Sequence, residues 1–236
     1  MTRPAPESSG GTPGIGLLNE KHLHASLKAW CARPGDRLET NVDGFVIDIV
    51  RGDLLLEIQT RNFSAIKTKL MRLAESHPIR VIHPIAREKW IVKRAKKRGR
   101  AVRRKSPRTG RVEDLFWEVV SVPQLLSHPN FSIEVLLIKE EETRRHDGRR
   151  GWRRKGWVTE ERRLLEVVEH RLLEKPDDWL GLLPEGLESF TVADLARAGG
   201  IRANLAQKMA YCLRKAGFIH LAGKRGRAYL YSVGIQ

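Results

Sequence analysis

Apolar residues recur at Leu17, Leu18, Leu23, Leu27 and Trp30, with Glu20, His24 and Lys28 between them, a spacing that predicts an amphipathic helix over 17–30. Arg33-Pro34-Gly35-Asp36 ends it. Strands are then predicted over 37–42, 44–50 and 54–60. Helical spacing returns in 62–77, where Phe63, Ile66, Leu70 and Leu73 mark the inward side, and Pro78 stops it. Residues 79–85 read as a strand, and 88–96 extend the sheet. Beyond them, 112–126 reads as a helix broken at Pro123, and 131–142 as a strand.

In the last third, Gly148, Gly151 and Gly156 mark 143–156 as a linker. Thr159 is placed to cap a helix over 160–175, with Leu164, Val167, Val168 and Leu172 at helical spacing. Thr191, with Asp194 three residues on, is close to a capping box for a short helix over 192–199. Gly199-Gly200 turns the chain into a helix over 202–217 that buries Leu205, Met209, Cys212 and Leu213. Segments 218–223 and 227–233 pair around Lys224-Arg225-Gly226. The expected organisation is a disordered lead-in (1–14), an α/β domain (15–142), a linker (143–156) and a second compact domain (157–236). Helix, three strands, helix and strand, in that order, predict an α/β sandwich. No Gly-rich turn follows a strand, which argues against a dinucleotide-binding Rossmann domain.

Charge adds a partner to this picture. The formal net charge is +16, and it is concentrated. Residues 93–111 carry eleven Lys or Arg and no acid; residues 144–155 carry seven and one Asp. Such a distribution is the footprint of a polyanion, whose counterions are released on binding. Candidate phosphate contacts in the first tract are Lys93, Arg94, Lys96, Lys97, Arg98, Arg100, Arg103, Arg104 and Lys105. No run of 18 apolar residues is present, so no membrane span is expected, and the first 18 residues lack the apolar core of a signal peptide. The only cysteines, Cys31 and Cys212, exclude a disulfide framework and fit a reducing, cytoplasmic setting.

Chemistry enters at the strand pair around Arg51-Gly52-Asp53. Asp48 closes one apolar run, and the next carries Glu57 and Gln59 on one face with Leu56 and Ile58 on the other. If the two runs form a hairpin, Asp48 comes beside Glu57, and two adjacent carboxylates suit a hard divalent cation such as Mg²⁺ or Mn²⁺. The plain alternative is two solvent-face acids of a half-buried hairpin. Asp43 competes with Asp48 for the same role but precedes Gly44 and reads as a bend. His24, four residues after Glu20 on one helix side, could line the same cleft, although the plainer reading is a surface or partly buried histidine.

With Glu20, Asp48 and the Glu57-Ile58-Gln59 triplet set side by side, residues 15–92 resemble the restriction-endonuclease-like superfamily of PD-(D/E)XK nucleases. The resemblance implies an α/β/α core in which Asp48, Glu57 and Glu20 bind metal or its water and Gln59 orients the nucleophile. Gln59 stands where that motif usually has Lys, so either Gln59 orients the water by hydrogen bonding, or Lys21, Lys67 or Lys69 supplies the cation, or activity is weak or absent. Residues 157–234 resemble a winged helix in their order of elements. That resemblance implies a DNA-reading helix presenting Arg202, Asn204, Gln207, Lys208, Tyr211, Arg214 and Lys215, and a wing carrying Lys224, Arg225 and Arg227. The expectation is a Mg²⁺-dependent endonuclease acting on double-stranded DNA, alone, as a homodimer or within a larger assembly. Its rivals are a non-catalytic DNA-binding scaffold and a winged-helix transcription regulator.

Overall fold

The computed structural model describes residues 15–94, 100–147 and 156–234, with side chains of the first helix described from His22 onward. Helix α1 (Ile15–Cys31) leads into an antiparallel meander, β1 (Arg37–Val42), β2 (Phe45–Arg51) and β3 (Leu54–Ile58). A 3-10 turn (Phe63–Ile66) and α2 (Lys67–Ala74) cross over to β4 (Ile79–Lys93), which lies parallel to β3. β5 (Val102–Lys105) folds back on β4. Segment 112–126, with α3 (Phe116–Val119) between two 3-10 turns, leads to β6 (Phe131–His146), parallel to β4. β7 (Trp157–Leu173) completes a mixed seven-stranded sheet of order β1-β2-β3-β4-β6-β7, with β5 beside β4.

Alternation along these strands, broken between Ile47 and Ile49 of β2, makes two apolar faces. One carries Ile49, Leu56, Ile58, Ile82, Leu136 and Ile138 and is covered by Leu23 and Leu27 of α1. The other carries Ile47, Val50, Leu55, Ile79, Val81, Ile133 and Val135 and is covered by Leu70 and Leu73 of α2 and by Leu115, Phe116 and Val119. Pro84, which has no N–H, falls just past Ile82, the last residue of β4 paired with β3. Gly110 crosses β4 closely enough that a Cβ would lie 2.6 Å from the Ala86 carbonyl oxygen. Only glycine fits there.

β7 overturns the helix expected over 160–175. Opposite β6 it has three register shifts, which leave Glu160, Leu165 and Val168 without a residue opposite them in the ladder. Each extra residue resets the two-residue alternation, so Leu164 and Val167 both face α1 three positions apart. Leu165 and Val168 point outward. The resulting pattern has helical spacing but belongs to a bulged strand. The stretch expected as a linker is correspondingly the end of a β6–β7 hairpin, with His146 paired to Trp157; residues 148–155 lie outside the described residues.

After β7 come α4 (Pro176–Leu180), β8 (Ser189–Phe190), α5 (Val192–Ala198), α6 (Ala203–Lys215), β9 (Ile219–Arg225) and β10 (Ala228–Val233). Strands β8, β10 and β9 make a small second sheet. Thr191 caps α5 reciprocally with Asp194, as their spacing predicts. Inward residues of α6, Leu205, Met209 and Leu213, join the same apolar cluster as Phe116, Val119 and the sheet. Phe116 meets Trp179 edge-on at 6.3 Å. Segment 112–126 therefore packs against α6.

Because one core runs from the sheet to α6, Phe116→Ala should cost about 3–5 kcal/mol and leave a single urea transition. Tryptophan fluorescence and far-UV circular dichroism should report it at the same midpoint. A fragment ending at 156 lacks β7 and should be unfolded; a folded fragment would show that β7 is dispensable.

Candidate functional site

The β2–β3 ladder ends at the pair Ile49–Leu56, so Asp48 and Glu57 stand opposite each other where the strands part. Asp48 Oδ2 accepts the Ile58 N–H at 2.9 Å, replacing the missing ladder bond with a side chain. His24 Nε2 donates to the same oxygen at 3.0 Å, and Lys28 Nζ lies 3.8 Å from Oδ1. Burial alone would raise the Asp48 carboxyl. The hydrogen bonds from His24 and Ile58, with the charges of His24 and Lys28, outweigh it and hold Asp48 below its ordinary value.

Glu57 has the opposite balance. It is buried, and Lys69 Nζ of α2 contacts its Oε1 at 2.6 Å while also donating to the Val46 carbonyl at 2.6 Å. Burial raises the Glu57 carboxyl, the Lys69 charge lowers it and the Asp48 charge raises it, with a net upward shift. Its second oxygen, Oε2, is buried with no hydrogen bond of good geometry, although the nearby Asp48 backbone N–H also lowers the carboxyl. Poorly paired acceptors of this kind are costly inside a protein.

Among the sequence candidates, then, Asp48 and Glu57 come together. The side chain of Glu20 lies outside the described residues. Gln59 Nε2 donates to the carbonyls of Arg61 and Asn62, so its amide shapes the following turn. Asp43 occupies the left-handed bend before Gly44 and pairs with His77 at 2.8 Å, away from Asp48. Of the three lysines proposed to stand in for the motif cation, Lys69 reaches Glu57.

Sequence reasoning passed over Lys28, Glu39 and His83. Lys28 continues the four-residue spacing of Glu20 and His24, which could have revealed it. Glu39 is a β1 residue that binds Lys28 at 2.5 Å and has φ 48°, rare for a residue with a side chain. Nothing in its local sequence signals that conformation. His83 is buried on β4 and donates from Nδ1 to the Gln59 carbonyl at 2.7 Å; burial lowers its pKa and keeps it neutral. Among the described residues, no three His, Cys, Asp or Glu side chains gather as a metal cage.

Among the described residues, several cations of the basic tracts are paired with acids. Arg94 pairs with Glu160 (3.0 Å), Arg103 with Glu141 (2.7 Å) and Lys105 with Glu88 (2.7 Å), acids supplied by β7, β6 and β4. Arg103 also stacks 4.0 Å over Trp90, and Lys93 lies 4.8 Å over Trp157. Arg100 and Arg104 are exposed; Lys96, Lys97 and Arg98 lie outside the described residues. On α6, Asn204, Gln207, Tyr211 and Arg214 form an exposed stripe flanked by Arg202 and Lys215. Lys208 is half-buried over the Trp117 ring at 5.4 Å. Lys224, Arg225 and Arg227 are exposed at the β9–β10 turn, with Arg225 bonded to Asp194 at 2.9 Å.

A family model described as Domain of unknown function (DUF8091) matches residues 21–174, from within α1 to just past β7. The match covers more than half of the chain, which therefore belongs to that family. A protein of Treponema pallidum (strain Nichols), described as "Uncharacterized protein", is 29% identical over 220 residues, covering 92% of this chain and 86% of the relative. A likeness of that extent runs through α6 as well as the sheet. No solved structure matches the chain.

The Lys69–Glu57 pair should show itself in the pH dependence of stability. Glu57 is raised in the fold, so it binds a proton more readily there than in the unfolded chain. Its contribution to stability falls as pH rises from its ordinary value of 4.5 through the raised one. Lys69→Met should steepen that fall, costing about 3 kcal/mol at pH 8 and much less at pH 4, where Glu57 is protonated. Urea melts at both pH values measure the difference; an equal cost at each would show that Lys69 does not act through the Glu57 charge.

Proposed function

We propose that this chain is a metal-dependent nuclease that hydrolyses phosphodiester bonds of DNA, with its site at the parting ends of β2 and β3. The observation that carries the reading is the opposition of Asp48 and Glu57, with Lys69 on one Glu57 oxygen and no hydrogen bond of good geometry on the other. The mixed sheet with helix-covered faces and the order α1, β1, β2, β3, α2, β4 support the PD-(D/E)XK resemblance. Mg²⁺ is held in many phosphate-handling sites by one or two carboxylates, completing its shell with water and substrate phosphate. Asp48 and Oε2 of Glu57 fit that donor set, and Glu20, on the same helix as His24 and Lys28, is the proposed third carboxylate. When bound, the ion lowers the pKa of a water and offsets charge developing on the phosphate.

The remaining work falls to side chains of the chain itself. His24 and the Ile58 N–H keep Asp48 ionised and oriented. Lys69 favours the Glu57 carboxylate against its burial and supplies the positive charge that Gln59 cannot. Gln59 fixes the turn that carries the end of β3. The exposed stripe of α6 and the β9–β10 turn are the proposed DNA-contacting surfaces, in the manner of a winged helix: amide and guanidinium groups suit base edges, and Lys and Arg suit phosphates. A non-catalytic DNA-binding protein is the second reading. It is favoured by the prior neutralisation of both carboxylates by His24, Lys28 and Lys69.

Asp48→Ala or Glu57→Ala should abolish Mg²⁺- or Mn²⁺-dependent nicking of supercoiled plasmid, with duplex affinity held within about threefold. Undiminished nicking by both variants would sink the assignment. A wild-type chain that binds duplex but cleaves with neither ion selects the second reading.

Affinity should come mainly from surface cations that face solvent. Replacing Arg100, Arg104, Lys224 and Arg227 with Gln should lower the slope of log K against log salt by about 0.9 for every phosphate no longer neutralised, equally for unrelated duplexes. Fluorescence anisotropy over a salt series reads the slope; an unchanged slope would remove these residues from the interface.

A further inference from the structure

The turn after β3 is held by a residue far along the chain. Glu118 Oε2 accepts the N–H of Asn62 at 2.6 Å and that of Phe63 at 3.2 Å. Asn62 is left-handed (φ 60°), and Phe63 opens the 3-10 turn leading into α2, where the first N–H groups have no partner of their own. From the other side, Gln59 donates to the Arg61 and Asn62 carbonyls, and the Gln59 carbonyl accepts from His83. This short turn joins the strand end bearing Glu57 to the helix bearing Lys69.

Glu118 belongs to α3, a single turn of helix packed in the same apolar cluster as α6. Trp117 lies beneath Lys208, and Phe116 and Val119 are fully buried in the cluster that holds Leu205 and Met209. α3 thus touches α6 on one side and, through Glu118, makes two hydrogen bonds to a charged acceptor on the other, bonds that are both strong and directional.

We propose that Glu118 is a positioning residue that couples engagement of α6 to the order of residues 59–63, and so to the placement of Glu57 and Lys69. The proposal rests on the reading of α6 as the DNA-contacting helix and of Glu57 as a site carboxylate. A nuclease with such a link opens or tightens its site according to what α6 has bound.

Hydrogen exchange on the full chain, with and without a saturating mixed-sequence duplex, tests it. Duplex should slow exchange across 59–66 in the wild type. Glu118→Ala should speed the free-state exchange there by about tenfold and remove the response to duplex. Glu118→Gln keeps an oxygen that can accept both N–H groups and should restore both. Lys208→Met, which leaves Glu118 in place, should keep the free-state protection and lose the response, so the link is testable even if Glu118→Ala folds poorly. Wild-type exchange across 59–66 that ignores duplex, or a Glu118→Ala chain that behaves as wild type, would overturn the proposal. Cleavage is scored separately: kcat of Glu118→Ala should fall by about 100-fold with KM little changed. A chain that shows the exchange response without cleaving overturns the nuclease reading and leaves the link standing; one that cleaves without the response overturns the link alone.

Discussion

Burial of one face of the sheet, the face built by Ile47, Val50, Leu55, Ile79, Val81, Ile133 and Val135, is the interaction on which the rest depends. Burying apolar side chains is the main favourable contribution to folding, and here a single contiguous cluster reaches from β2 to α6. The helices that cover this face hold the candidate chemistry in place. α2 brings Lys69 to Glu57; segment 112–126 brings Glu118 to the turn after β3 and Trp117 to α6. The opposite face, covered by α1, brings His24 and Lys28 to Asp48. The site thus sits where the two layers meet at the end of a short strand.

β3 is short while β4 beside it, and β6 beyond that, are long, and that mismatch creates the site. β4 runs from Ile79 to Lys93 and β6 from Phe131 to His146, whereas β3 stops at Ile58. Beyond it the ladder is replaced by side chains: Asp48 takes the Ile58 N–H, and His83 binds the Gln59 carbonyl. Backbone groups that a longer strand would have satisfied become anchors for polar residues. The cost is visible in the two carboxyls, which burial pushes upward and nearby cations pull down, with Asp48 settling low and Glu57 high. Two acids whose surroundings drive them apart are a common property of sites that bind ions or move protons.

Positive charge behaves differently in the two halves of the molecule. Along β4, β5, β6 and β7 it is largely met by Glu88, Glu140, Glu141, Glu142 and Glu160 from neighbouring strands, so these rows hold the sheet together as well as colouring its surface. Glu140, fully buried between Lys89 and Arg162, is the extreme case. On α6 and the β9–β10 turn most of the cations face outward. Among the described residues, the sheet therefore presents less free charge to a polyanion than its number of Lys and Arg, and α6 with the β9–β10 turn presents more of its own.

Much of the fold was legible from residue order alone. The meander β1–β3, the crossover to β4 and the capped α5 followed from periodicities and turn residues local to each segment, and the approach of Asp48 to Glu57 followed from the hairpin between them. Helical spacing along α1 put His24 on the side of Glu20, but whether it met the acids or only solvent was settled by the fold. β7 was not legible, because three unpaired residues in its ladder turn strand alternation into helical spacing, and only the partner strand β6 shows where they fall. The pairing of Lys69 with Glu57, the left-handed Glu39, the poorly paired Glu57 oxygen and the reach of Glu118 to Asn62 were likewise decided in three dimensions. Each depends on contacts between residues far apart in the chain, and periodicity records only which way a side chain faces, not what it meets there.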